Sequence, residues 1–446
     1  MTEQSVLDIR GLTISLPRGA DRPYAVEDVS FHVAPNEIVC VVGESGSGKS
    51  VTAHSVMGLL PRKQLTPVAG QVLLRGEDLL TKSPGELRSL RGERMSMIFQ
   101  EPMTALNPVI RVGEQIEEVL KIHTEMSPRE RIARVMEVME AVRLPEPEAL
   151  RNSFPHQLSG GQRQRIMIAA ALALEPALLI ADEPTTALDV TTQAQILKLI
   201  KDIQKSHQTG VLFITHDFGV VAEIADRVVV MQTGKVVEQG VTEDVLRRPR
   251  HPYTRMLISA VPSLAPKARS SKEHRPIVLS TQSLGKVYTA SGFFDKGRQV
   301  RAASDVDIEV RKGETLGIVG ESGSGKSTVA RCIVRLIDPT SGKVFIDDDD
   351  IAQLPPRLLR HHRRRVQIVF QDPYRSLNPR RRIGASIIEG PMNFGLSKTA
   401  AVKRARDLMQ LVGLSEDAIE RFLTSSPAVS ASASASPAPS PWNRRS

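Results

Sequence analysis

A nine-residue stretch, VGESGSGKS, occurs twice in this chain, at residues 42–50 and again, letter for letter, at 319–327. A second pair of similar stretches follows, MIFQEPMTALNP at 97–108 and IVFQDPYRSLNP at 368–379. Self-similarity of this kind means that one structural unit is used twice. The chain has 446 residues, enough for two or three domains of ordinary size. The sequence therefore predicts two related domains in tandem.

The segment between the copies differs from both of them. Residues 263–276 are rich in proline, serine and charge and have no hydrophobic period, which is typical of a linker. We therefore expect a first domain at 1–262, a linker at 263–276, the beginning of a second domain at 277–422, and a separate tail at 423–446.

Composition narrows the class of protein. The chain is 41% hydrophobic and 24% charged, as in soluble globular proteins. No apolar run approaches the roughly 20 residues that cross a bilayer, and the first residues lack a secretory signal, so we expect a cytoplasmic protein. Cys40 and Cys332 lie far apart without CxxC spacing and are predicted to be buried free thiols. The net charge of +9 decides nothing alone.

The repeated stretch contains GxxxxGK[ST], between the apolar run EIVCVV and the amphipathic VTAHSVMGLL. Glycines let such a loop direct its backbone N–H groups at phosphate oxygens, and the helix that follows adds positive potential. Lys49 is expected to reach the β and γ phosphates, and Ser50 to hold Mg²⁺. The predicted contacts of the nucleotide are Gly43, Glu44, Ser45, Gly46, Ser47, Gly48, Lys49, Ser50 and Val51, with Gly320, Glu321, Ser322, Gly323, Ser324, Gly325, Lys326, Ser327 and Thr328 in the second copy.

Three further stretches add catalytic groups. LLIADEP at 178–184 reads as a buried strand that ends in two carboxylates, with Asp182 suited to Mg²⁺ and Glu183 suited to polarising an attacking water. His216 follows the apolar strand VLFI, at the sheet edge where ligand groups gather in open α/β sheets. LSGGQRQR at 158–165 joins a flexible turn to a helix start, which is another anion site.

Taken together, these motifs resemble the nucleotide-binding domain of an ABC ATPase, and the resemblance extends from residue 5 to about 422. It implies an α/β fold with two P-loop cassettes in tandem, the second incomplete, and ATP and Mg²⁺ as ligands. Glu183, His216 and Lys49 then become the catalytic residues, and Asp189 the D-loop aspartate. The resemblance also implies that Gln100 and Gln371 are the glutamines that sense Mg²⁺. It implies that the signature, which contacts the ATP of a partner cassette, consists of Ser159, Gly160, Gly161 and Gln162. The residues that it implies for binding magnesium are Ser50, Gln100, Asp182, Ser327 and Gln371.

The stretches SFPHQLSGGQRQR and HPYTRMLISAVPSL are further similar to the oligopeptide/dipeptide importer branch. The resemblance implies an ATPase subunit that binds integral permease subunits and works with an extracytoplasmic solute-binding protein, at the cytoplasmic face of a bacterial inner membrane. An iron–sulfur cluster is not expected, because the cysteine cluster of some relatives is missing. The adenine-stacking aromatic is well placed at Tyr288 in the second copy, while Tyr24 and Leu16 leave it open in the first.

A second functional class fits a tandem of cassettes, a soluble protein that acts on ribosomes or DNA. Such proteins usually have a long charged helical linker or zinc-binding cysteines, and neither is present in the sequence. The basic runs at 357–365 and 379–383 are better explained as surfaces near lipid headgroups or permease, since aromatic residues make up only 4% of the chain. We therefore expect no nucleic-acid partner.

The tail breaks the repeat. After Phe422 the sequence should continue like PHQLSGGQRQRIMIAAALALEPA of the first copy, but it becomes a Ser/Ala/Pro tract. Back-translating residues 423–445 with one C restored in front gives PHEFSGGQRERIGIARALAMEPP, so we predict a frameshift product, with a natural low-complexity tail as the alternative. The second copy then lacks its signature, Asp-Glu pair and switch histidine. Neither intramolecular site is complete, and coupled hydrolysis is expected to need a second chain or another ATPase.

Overall fold

The structure is a computed structural model that describes residues 5–17, 20, 22–61, 64–100, 105–186, 188–262, 274–289, 299–321, 323–370 and 377–422. The chain divides into two compact units, Met1–Pro266 and Lys267–Ser446. The boundary falls between residues 263 and 276. The predictions for linker residues 263–273, for Ser322, for Gln371 and for the tail at 423–446 lie outside the described residues.

A six-stranded sheet forms the centre of the first unit, in the order β10-β9-β3-β8-β7-β6. Its central strands are parallel, and β3 lies between β8 and β9. Strands of this kind are covered on both faces and therefore consist of continuous apolar runs, such as IVCVV and GVLFI, in which every residue is buried. The strands are β3 Ile38–Val42, β6 Met95–Ile98, β7 Leu178–Asp182, β8 Gly210–Ile214, β9 Arg227–Gln232 and β10 Lys235–Val241.

An antiparallel sheet packs on one side of this core, in the order β2-β1-β4-β5. Leu7 and Ile9 are buried because alternate residues of a half-covered strand face the core, and after a register shift the pattern continues with Leu12 and Ile14. The strands are β1 Leu7–Ser15, β2 Tyr24–Val33, β4 Thr66–Leu74 and β5 Glu77–Asp78.

The helices of the first unit begin where the sequence offers caps. Ser127 and Glu130 form a capping box at one helix start, and Ser159 and Gln162 form another. The helices are α1 Lys49–Val56, α2 Pro84–Leu90, α3 Val112–His123, α4 Pro128–Ala141, α5 Pro147–Arg151, α6 Gly160–Leu172, α7 Val190–His207, α8 Phe218–Ile224, α9 Thr242–Arg247 and α10 Pro252–Ala260. Short 3-10 helices span Leu79–Thr81 and Pro155–Gln157.

The second unit repeats the antiparallel sheet, in the order β12-β11-β13-β14. Its strands are β11 Ile277–Thr289, β12 Gln299–Arg311, β13 Ser341–Ile346 and β14 Asp349–Asp350. Its helices are α11 Lys326–Ile333, α12 Pro356–His362, α13 Ile383–Asn393 and α14 Lys398–Leu411, with a 3-10 helix at Glu416–Glu420. The α/β fold is as the sequence predicts.

The second unit differs from the first in the region that corresponds to the central parallel sheet. Within the part of this unit that the structure describes, no parallel sheet is formed, and residues 315–319, which match β3 in sequence, are not a strand. Val42 is fully buried, whereas Val319 is 91% exposed. In the first unit β3 is held by hydrogen bonds to β8 and β9, and among the described residues of the second unit no strand takes the place of either. The backbone N–H and C=O groups of a buried strand must be paired with neighbouring strands. Without such neighbours these groups bond to water, and the segment stays exposed.

Two sequence expectations are tested by burial and helix length. Cys40 and Cys332 are both buried free cysteines, as predicted, and burial raises the pKa of each thiol. None of the helices in the described ranges combines the length and apolar character that spanning a membrane requires.

Candidate active site

The glycine-rich loop of the first unit connects the end of β3 to the start of α1, at the carboxyl edge of the parallel strands. Gly43 and Gly48 have φ values of 152° and 102°, in the region that favours glycine. A Cβ on Gly43 would stand 2.2 Å from the backbone oxygen of Met231, so that only glycine fits against β9. The loop is therefore shaped by close packing on the sheet as well as by its own turns.

Lys49 begins α1 and is only 6% exposed. Its ammonium donates hydrogen bonds to the carbonyl oxygens of Gly43 at 2.7 Å and Glu44 at 2.9 Å. Burial lowers the pKa of Lys49, although the carboxylates of Glu183, Asp182 and Glu44 oppose that shift. The lysine thus points back into its own loop, with a charge that the nearby acidic groups help to retain.

Ser50 and Asp182 bring two hard oxygen groups together. The Ser50 hydroxyl donates to Oδ1 of Asp182 at 3.1 Å. Asp182 ends β7 and is 3% exposed, and burial raises the pKa of its carboxyl group. Because Mg²⁺ prefers oxygen ligands near phosphate, a buried carboxylate beside a hydroxyl at the foot of the phosphate loop fits such an ion.

Glu183 follows Asp182 and gathers three side chains around one oxygen. Its Oε2 accepts hydrogen bonds from Nε2 of Gln100 at 3.1 Å and from the hydroxyl of Thr186 at 3.0 Å, and lies 3.2 Å from Nδ1 of His216. Its backbone has φ 47°, an uncommon value for a residue with a side chain.

The charges in this cluster favour the ionised pair. Burial pushes the pKa of Glu183 up, but the hydrogen bond and charge of His216, together with Thr186 and Lys49, outweigh it, so the net pKa is lowered. The hydrogen bond to Glu183 raises the pKa of His216, against the opposite effect of burial. Glu183 is therefore an anion at neutral pH and can accept or polarise a proton donor.

The signature residues lie at the start of α6. The Ser159 hydroxyl accepts from the N–H of Gln162 at 3.2 Å, and the Gln162 side chain accepts from the N–H of Ser159 at 2.9 Å. Ser159 and Gly160 are exposed. Asp189 caps α7 by accepting from the N–H and hydroxyl of Thr192. The start of α6 is therefore capped by its own side chains and faces solvent.

The second copy of the loop has the same local contacts on a less protected support. Lys326 begins α11 and donates to the carbonyl oxygens of Gly320 and Glu321, each at 2.6 Å. Gly323, Ser324 and Ser327 are exposed, and Lys326 and Thr328 are half-buried. These lysine contacts are therefore present although the described residues of the second unit form no parallel sheet beside them.

Three contacts involve residues that the sequence argument did not single out. Thr186 donates to Glu183. The Arg22 guanidinium donates to the carbonyl oxygen of Gly46 at 2.6 Å, and the Tyr253 hydroxyl accepts from the N–H of Glu44 at 3.1 Å. Thr186 directly follows the DEPT stretch, so its position in the sequence could have indicated a contact with Glu183. No motif near Arg22 indicates its contact with the loop. Tyr253 belongs to HPYT, which served only as a family marker.

The fold and site define a P-loop ATPase. The family described as "ABC transporter" matches residues 26–186 and 303–431, and the one described as "Oligopeptide/dipeptide transporter, C-terminal region" matches 237–291. The chain therefore belongs to the ABC transporter family. It is an ABC-type ATPase and an ATP-binding protein of the oligopeptide/dipeptide importer type.

Individual relatives agree with this placement. The protein named "Glutathione import ATP-binding protein GsiA" from Salmonella choleraesuis is 42% identical over 454 residues, covering 95% of this chain and 73% of that protein. The protein of the same name from Escherichia coli O157:H7 is 43% identical over 450 residues, covering 94% and 72%. A solved dimeric structure of a bacterial ABC transporter cassette shares 30% identity with a TM-score of 0.48, over 53% of this chain and 98% of that one.

Proposed function

We propose that this chain is the ATPase subunit of an importer of peptides or related small solutes, and that its first cassette carries the hydrolytic residues. The single observation that supports this most is the convergence at Glu183 of Gln100 and His216, beside the phosphate loop that contains Lys49. Three separate strand ends contribute to it, as expected where an open α/β sheet binds its ligand.

In this proposal each residue of the first loop has a defined task. Backbone N–H groups of the loop beyond Glu44 bind phosphate oxygens, and Lys49 leaves the two carbonyls it now contacts to meet the β and γ phosphates. Ser50, Asp182 and Gln100 would hold Mg²⁺, which when bound neutralises charge on the phosphates. The Ser50–Asp182 contact supports the first two assignments.

Glu183 orients and polarises the attacking water, since its carboxylate is ionised and is held at a fixed place by three neighbours. His216 keeps that carboxylate in position and presents its exposed ring edge toward the γ phosphate. A backbone in the left-handed region, as at Glu183, is typical of residues whose position matters for function.

The second cassette is proposed to be cut off by a reading-frame shift after the codon of Phe422. Its loop at 320–328 would still bind nucleotide, while Ser327 and Gln371 would have no matching carboxylate pair. Each ATP in this family lies between the loop of one cassette and the signature of the other. Hydrolysis would then require the first cassettes of two chains to pair, or a separate ATPase.

Sequencing the gene across the Phe422 codon tests this part of the proposal. A missing base, with SGGQ encoded in the displaced frame, is the expected result. A frame that encodes the Ser/Ala/Pro tract and contains no SGGQ in the displaced reading would overturn it.

The partners would be integral permease subunits at the cytoplasmic face of the membrane and an extracytoplasmic solute-binding protein. The match of residues 237–291 to an oligopeptide/dipeptide transporter region supports this over a ribosomal or DNA role. The relatives named for glutathione import support a small peptide as cargo.

Copurification and uptake test the transport role. The full chain should copurify with permease subunits and, where the first cassettes of two chains pair or another ATPase is present, support ATP-dependent uptake of labelled glutathione or a dipeptide into vesicles. Copurification with ribosomes and no association with permease would contradict it.

A further inference from the structure

Tyr253 connects the C-terminal part of the first unit to the phosphate loop. It lies in the first turn of α10 Pro252–Ala260 and is 5% exposed. Its hydroxyl accepts a hydrogen bond from the N–H of Glu44 at 3.1 Å, although the two residues are 209 positions apart. Burial raises the pKa of the phenol, so the side chain is neutral at physiological pH.

Glu238 of β10 holds the backbone of the residues that directly precede Tyr253. The Glu238 carboxylate accepts from the N–H of Arg250 at 2.7 Å and from the N–H of His251 at 3.0 Å. Nδ1 of His251 then accepts from the N–H of Tyr253 at 3.3 Å. Two of these contacts hold the residues before α10 on β10, and the third caps the first turn of α10, so the backbone that carries the Tyr253 hydroxyl is fixed against the sheet.

The peptide unit whose N–H contacts Tyr253 is also bound at its carbonyl oxygen. The N–H of Glu44 and the carbonyl of Gly43 belong to one planar peptide unit. Lys49 donates to that carbonyl at 2.7 Å, while Tyr253 accepts from the N–H. This one peptide unit, at the first bend of the phosphate loop, is thus bound at both ends by side chains.

We propose that Tyr253 is a positioning residue that fixes the Gly43–Glu44 peptide unit and so holds the phosphate loop in its binding shape. When Lys49 leaves the Gly43 carbonyl for a phosphate oxygen, the Tyr253 bond still sets the orientation of this peptide. The inference rests on the proposed binding of nucleotide at this loop and adds a residue outside the loop that prepares it.

The test compares Tyr253→Phe with the unchanged full chain in two measurements. Phenylalanine keeps the ring and its packing and removes only the hydroxyl, so one neutral hydrogen bond is lost. Hydrogen–deuterium exchange of the Glu44 amide, in the nucleotide-free chain, should become faster. Affinity for Mg-ATP, from fluorescence titration, should fall about two- to tenfold.

Ser259→Ala is the matched control, since it removes another hydroxyl from the same helix. Ser259 is exposed and donates to the carbonyl of Met256 in its own helix. It should leave both the exchange of Glu44 and the ATP affinity at the original values. If Tyr253→Phe also leaves both unchanged, the proposal is wrong.

A further variant covers the case in which Tyr253→Phe destabilises the unit. Glu238→Gln keeps the hydroxyl but weakens the seat of the helix, and it should speed exchange of the Glu44 amide by less than Tyr253→Phe does. Equal exchange in Glu238→Gln and the unchanged chain would contradict the role of that seat. The exchange of the Glu44 amide is measured without nucleotide, so it tests the role of Tyr253 even if the chain does not bind ATP. Failure to bind ATP would overturn the proposed function and not the role of Tyr253.

Discussion

Nδ1 of His216 lies 3.2 Å from Oε2 of Glu183. The two residues follow neighbouring strands, β8 and β7, whose register places Asp182 opposite Ile214. The contact therefore depends on correct pairing of the parallel sheet, and it brings a carboxylate and an imidazole together at the edge of the site. Its strength changes with pH because both groups titrate.

The pair should stabilise the fold in a defined pH range. The pKa of His216 is raised, so its contribution is complete below about 6.5 and is lost as pH rises through the raised value. The pKa of Glu183 is lowered, so its contribution is complete above about 4.5 and is lost as pH falls through the lowered value. The full effect therefore lies between these two limits.

Thermal unfolding of the original chain and of His216→Gln measures this. The original chain should melt higher by a few degrees near about pH 5.5, and the difference should vanish near about pH 9. The effect is small because the His216 side chain is 61% exposed and water screens its charge. A difference that grew toward alkaline pH would refute the ion pair.

Lys49→Ala should weaken binding of Mg-ATP by about ten- to 150-fold, because a charge-assisted hydrogen bond from a buried ammonium is lost. Lys198→Ala, on the exposed side of α7, is the control and should bind as the unchanged chain does. Lys326→Ala should reduce affinity less than Lys49→Ala, since its loop lacks a surrounding sheet. Isothermal titration compares the three variants. Equal losses from Lys49→Ala and Lys326→Ala would show that both loops bind alike.

The second unit should be the first to yield to protease. Its residues 315–319 and 366–370 are not in strands, and Val319, Val369 and Phe370 are 91%, 67% and 44% exposed. Open backbone with exposed apolar side chains is cut readily. Limited digestion of the full chain, followed by mass spectrometry, should leave a fragment close to residues 1–266. Survival of a fragment from the second unit would contradict this.

Much of the first site could be read from the sequence because its parts are local. The apolar run before residue 43, the glycines of the loop and the carboxylates that end β7 each specify their own element. Their meeting at one sheet edge follows from parallel topology. The distances around Glu183 were not predictable, since they depend on strand register and on a left-handed backbone at that residue.

The contact of Tyr253 and the structure of the second unit could not be predicted from local sequence patterns. No pattern near residue 253 indicates a bond to residue 44, because the contact depends on how α10 seats on the sheet. Residues 315–319 read as a strand by analogy with β3, yet a buried parallel strand forms only with neighbours to bond. The repeat was visible in the sequence, but the absence of a parallel sheet among the described residues of the second unit became clear only from the structure.

ATP turnover by Glu183→Gln tests the account most directly. The full chain is assembled with permease subunits, where two first cassettes can pair, and bound ATP and ADP formation are measured together. We expect the variant to bind Mg-ATP as tightly as the original chain and to form ADP at least about a hundredfold more slowly, because only the base that polarises water is lost. ADP formation by the variant at the original rate would show that Glu183 is not that base.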